Sequence, residues 1–179
     1  MNNNTNGNGN QSWFELFKGI RDPQVLKHLY HEQAFRFHPD RGGDLETMKQ
    51  INMAYHSALK WADGYVSKDK EGHAHTYKYD REAEQEVIDK IGEVLHSRLT
   101  GITLELIGSW IWIGGDTKPY KDTLGKNGLG FMWHSARSLW YWKPVGQKWH
   151  KKTGRYKEMD SLRASYGSRA YDMEAGVPV

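Results

Sequence analysis

The sequence predicts an α+β fold, with a helical hairpin at its N-terminal end and a small β-rich module at its C-terminal end. Apolar residues recur at helical spacing from Leu26 to Leu59 and again from Val87 to Leu99. The period then becomes two in "ITLELIG" (102–108) and "SWIWIGG" (109–115). Charge and aromatics divide along the same line. Within a net charge of +3, residues 118–169 hold twelve Lys and Arg against three Asp and Glu, a local +9 that leaves −6 for the rest. Six of the eight tryptophans fall between Trp110 and Trp149. The two halves are therefore expected to meet different partners.

Residues 1–11, "MNNNTNGNGNQ", carry almost no apolar surface to offset the entropy of ordering, so a disordered tail is expected. "SWFELFKG" is a short helix that Gly19 ends. Asp22 followed by Pro23 signals a helix start, because the carboxylate accepts from free N–H groups and proline lacks one. Leu26, Leu29, Tyr30, Gln33, Ala34 and Phe37 then share a face until Pro39 stops the helix. A further helix starts at Asp44 and carries Met48, Ile51, Tyr55, Ala58 and Leu59, so that 12–61 reads as a helical unit closed by a hairpin. Residues 62–80 lack a period and read as a linker. Residues 81–100 form a connecting helix with acids at its start, Arg98 near its end and Gly101 as its stop. The module, 101–169, begins with a β-hairpin turning at Gly108 and Ser109. It continues with a short helix capped by Thr117 and ended by Gly128, then return strands including "SLWYWK", and a last helix over 160–166. Residues 170–179 read as a tail.

Composition narrows the function. The chain has no cysteine, which excludes disulfides and thiolate metal sites. No run approaches the ~20 apolar residues of a membrane span, and no signal peptide is evident, so the cytoplasm is the expected compartment. His73 and His75 read as solvent-exposed side chains rather than metal ligands, and Gly114-Gly115-Asp116-Thr117 lacks a following phosphate-loop lysine. No set of nucleophile, base and oxyanion donors is present. Binding without catalysis, cofactor or metal is expected.

Two constellations remain. The first is "AFRFHPDRGG", residues 34–43, where His38, Pro39 and Asp40 separate two amphipathic helices. As bare turn chemistry, proline breaks the helix while Asp40 and the glycines shape the loop. The frame adds more: Tyr30 stands eight residues before His38, and "INMAYHSAL" follows on the next helix. Over Trp13 to Trp61 this resembles the J-domain (DnaJ-like) family of co-chaperones, in the short-loop variant of polyomavirus T antigens and the mitochondrial import-motor subunit. The resemblance implies that His38, Pro39 and Asp40 contact a DnaK-type chaperone, Asp40 receiving an arginine, with Lys27, Tyr30, Arg36 and Arg41 beside them. His31 and Glu32 stand where many members carry Lys or Arg.

The second constellation is aromatic and basic. Trp110, Trp112, Trp133, Trp140 and Trp142 lie among Lys118, Lys121, Arg137, Lys143, Lys148, Lys151, Lys152 and Arg155. Rings that stack on bases beside phosphate-neutralising cations suit single-stranded or junction nucleic acid; the same face would also suit a protein client. More loosely, the arrangement resembles strand-helix-hairpin modules of phage proteins and annealing helicases. Together these readings imply a J-like adaptor of phage or mobile-element origin, acting in a bacterial host's cytoplasm. The alternative is a nucleic-acid-binding protein, or an inhibitor of a host complex, with a purely structural hairpin.

Overall fold

The computed structural model describes residues 13–68, 72–147, 158–166 and 168–172. The tail expected over 1–11 lies outside the described residues, as do Lys148, Lys151, Lys152 and Arg155. The fold is α+β, with helices gathered N-terminally and an antiparallel sheet C-terminally.

Helix α1 (Trp13–Phe17) ends where Gly19 takes a left-handed φ of 77°. Helix α2 (Pro23–Phe37) begins as expected: Asp22 Oδ1 accepts from the Gln24 N–H at 2.8 Å. Helix α3 (Leu45–Trp61) is capped by Asp44, whose Oδ2 accepts from the Thr47 N–H at 2.7 Å. The two helices form the expected hairpin around a first core that includes Leu26, Tyr30, Ile51, Tyr55 and Leu59. Tyr30 and Tyr55 stack at 4.1 Å between ring centroids.

Within 62–80, read as a linker, the chain instead makes a two-stranded antiparallel ribbon, β1 (Val66–Lys68) with β2 (Ala74–Thr76). Each strand is three residues long, too short for a periodic pattern to register. Tyr77 and Tyr79 then pack against the first core.

Helix α4 (Arg81–His96) is the expected connecting helix, capped by Asp80. It ends at His96, before Gly101, because Arg98 already turns left-handed with φ 50°. Ile88 enters the first core, while Val87, Ile91, Val94 and Leu95 enter a second core under the sheet. α4 thus belongs to both cores, and burying such side chains contributes about 1.5–3 kcal/mol each.

The sheet is antiparallel, in the order β5-β6-β4-β3-β7. β3 (Ile102–Ile107) and β4 (Trp110–Gly115) pair as expected around Gly108 and Ser109. A short 3-10 turn and α5 (Lys121–Leu124) follow, but Thr117 makes no side-chain capping bond and α5 stops at Gly125 rather than Gly128. β5 (Met132–His134) pairs with β6 (Leu139–Trp142) as the return hairpin. α6 (Met159–Tyr166) matches the expected last helix. The expected tail at 170 is corrected: β7 (Ser168–Asp172) adds to the edge of β3. Among the described residues no helix is long and apolar enough to cross a membrane.

Candidate functional site

The loop between α2 and α3 follows from local chemistry. Proline stops α2, His38 adopts extended backbone, and Pro39–Arg41 form one 3-10 turn closed by Gly42 at φ 89°. Gly43 is required by space rather than by φ: a Cβ there would stand 2.0 Å from the Phe37 carbonyl oxygen. The Asp40 N–H donates to His38 Nδ1 at 3.3 Å, so that nitrogen carries no proton. Burial of the imidazole lowers the His38 pKa, with His96 and Arg41 adding to the effect and Asp40 opposing it.

Pro39 and Arg41 are exposed and Asp40 is half-buried, so the loop presents a tip to solvent. The Arg41 guanidinium lies 5.9 Å from the Phe35 ring and that of Arg36, also exposed, 5.2 Å from Phe37. Two of the expected contact residues are elsewhere. Tyr30 is buried, its hydroxyl donating to Asn52 Oδ1 at 2.9 Å. Lys27 is buried too: its Nζ meets Glu84 Oε1 of α4 at 2.9 Å and donates to the Gly108 carbonyl at 3.2 Å.

The reason is that α2 has two covered stripes. Leu26, Tyr30 and Ala34 face α3, while Lys27, His31 and Phe35, one turn apart, are buried on another side. α4 and the β3–β4 turn take that second side. Tyr77 completes the polar cluster by donating to Glu84 Oε1 at 3.0 Å. His31, fully enclosed, has its pKa pushed down to about 3 by burial, with Lys27 and His28 reinforcing the shift.

α4 also reaches the loop itself. A Cβ on Gly92 would stand 3.5 Å from His38 Nε2, and one turn later His96 Nδ1 lies 3.0 Å from Asp40 Oδ2. A cleft of about 310 Å³ opens here between α2, α3 and α4, with Asn52, Asp89 and Glu93 among its polar walls. Neither Gly92 nor His96 carries a local sequence signal for this contact, being more than fifty residues from the loop.

The five tryptophans of the module do not form one platform. Register places Trp133, Trp140 and Trp142 on the α4 side of the sheet with Ile111 and Ile113, and Trp110 and Trp112 on the other. Trp140 and Trp142 pack against the second core, where Lys90 of α4 stands 5.5 Å from the Trp142 ring and donates to the Leu129 carbonyl at 3.0 Å. Trp112 is only 2% exposed, covered by Tyr141 at 5.5 Å and by the Arg137 guanidinium at 5.3 Å. Trp110 lies parallel to Tyr141 and donates to Gln147 Oε1 at 3.1 Å. Trp133, 48% exposed, is the ring of the five most open to a ligand. Lys118 and Lys121 are exposed around the start of α5, and Lys143 donates to the Gln147 carbonyl.

On the far face of the sheet, Arg163 of α6 makes a bidentate pair with Glu105 at 2.7 and 2.8 Å. His75 lies against the Tyr166 ring, and no group of metal-binding side chains occurs among the described residues. The Asp116 N–H donates to the Gly101 carbonyl and the Thr117 N–H to that of Gly115, so these two amides of the glycine turn are engaged.

No protein-family model, curated protein or solved structure matches the chain.

Proposed function

We propose that the chain is a J-like adaptor that engages a DnaK-type chaperone through the tip of its α2–α3 loop and carries a client on its C-terminal module. The observation that supports this most is the placement of Pro39, Asp40 and Arg41 on the turn of the α2–α3 hairpin, with the Asp40 carboxylate 28% exposed. A carboxylate so placed suits a charge-assisted bond from an arginine, a contact whose truncation costs about 2–5 kcal/mol at an interface. The contact rests on the loop rather than on α2, because Lys27 is engaged with Glu84. The chain acts by binding, without chemistry of its own, in the cytoplasm of a bacterial host.

For the client, exposed Lys118, Lys121 and Lys126 with Trp133 favour a single-stranded nucleic acid held by its phosphates and one stacked base. Steady-state ATPase of a DnaK-type chaperone tests the first half: wild type should stimulate it and His38→Gln should not. No stimulation, or equal stimulation by both, refutes the co-chaperone reading and leaves a structural hairpin. Binding of labelled single strands over a salt series tests the second half. A steep decline is expected, and a flat one points to a protein client.

A further inference from the structure

In the free protein the carboxylate offered to a partner is already engaged. His96 comes from the last turn of α4 and sets Nδ1 at 3.0 Å from Asp40 Oδ2. An ionised carboxylate only accepts, so His96 Nδ1 carries the proton and donates.

The contact is built rather than incidental to a mobile end. Gly92 and His96 lie one turn apart on the same face of α4; the first lies against the His38 ring and the second reaches Asp40. Buried Val87, Ile91, Val94 and Leu95 fix the helix that presents them. The flank of α2 that faces α4 is closed by the burial of Lys27, His31 and Phe35, so on that side the end of α4 is the surface beside the loop. There the His96 side chain is 78% exposed and can swing away.

We infer that His96 is a specificity-determining residue of the loop, an internal donor that occupies Asp40 and that a partner's guanidinium must displace. The inference rests on the co-chaperone reading for the identity of the partner. A bidentate guanidinium uses both carboxylate oxygens, and one of its prongs meets the oxygen that already accepts from His96, so the two donors compete there. Partners that present a planar, two-pronged cation are favoured over those that present an ammonium.

The experiment is a double-mutant cycle on the full chain, with chaperone affinity measured by calorimetry for wild type, His96→Ala, Asp40→Asn and the double variant. His96→Ala should tighten binding by about twofold to fivefold, the scale of an exposed ion pair, and have no effect in the Asp40→Asn background. Unchanged or weaker binding, or the same change in both backgrounds, overturns the inference. A second arm needs no chaperone: methylguanidinium is titrated into wild type and Asp40→Asn while the His96 ring resonances are followed. A saturable change in wild type alone is expected, and a flat titration in wild type overturns the inference. If the change saturates while the chaperone does not bind, the co-chaperone reading falls and the exchange at Asp40 stands.

Discussion

Replacing Glu84 with alanine removes the carboxylate that holds Lys27 inside the protein. The pair is 2.9 Å long, with side chains 10% and 5% exposed, and Tyr77 donates to the same oxygen. Breaking one partner of such a pair strands a charge away from water, at a cost of about 3–5 kcal/mol. Lys27 retains the Gly108 carbonyl, so the lower figure applies, about 3 kcal/mol. With an m-value of about 2 kcal/mol/M, the urea midpoint should fall by roughly 1.5 M. The triple variant Lys27→Met, Tyr77→Phe, Glu84→Leu removes the charges and the hydroxyl together and should recover to within about 1 kcal/mol of wild type. A loss below about 1 kcal/mol for Glu84→Ala, or a triple variant no more stable than it, would refute the account of Lys27 as a buried structural cation. The same account predicts that Lys27→Ala lowers stability before it lowers chaperone affinity.

His31 predicts a pH dependence. Its pKa is pushed from 6.5 down to about 3, so the unfolded chain binds the proton first; stability is full above pH 6.5 and declines below it until about pH 3. The slope should approach 1.4 kcal/mol per pH unit, seen by urea unfolding at pH 7 and pH 5 and flattened in His31→Leu. Gly43→Ala forces a Cβ onto the Phe37 carbonyl, which cannot yield; a loss of about 2 kcal/mol, or a Tm lower by about 5 °C, is expected, together with lost chaperone stimulation. Arg163→Ala frees α6 from Glu105. Because Arg163 is 40% exposed the cost should be about 1 kcal/mol, read as faster proteolysis near α6 with little change in the global midpoint.

Local chemistry was legible where one residue decides a local outcome. Asp22 and Asp44 cap the helices they precede, Gly108 and Ser109 turn the hairpin, and Pro39 ends α2. The helical period of α4 and the alternation of β3 and β4 were equally plain, since both reflect which side of one element is dry. The sequence by itself therefore determined the types of α1 to α4, of β3 and β4 and of the loop that carries Asp40, but neither the β1–β2 ribbon nor the edge strand β7.

Only the tertiary structure decided what covers each face. Period cannot tell that α2 is buried on a second stripe, because that stripe holds Lys27 and His31, polar residues whose burial depends on Glu84 and Tyr77 far along the chain. Alternation set Trp110 and Trp112 on one side, but the inter-strand register put Trp140 and Trp142 against the core, and Arg137 and Tyr141 closed over Trp112. His96 meets Asp40 for the same reason: the packing of α4 into two cores brings together side chains 56 positions apart, and a periodic pattern within one element holds no information about such a meeting.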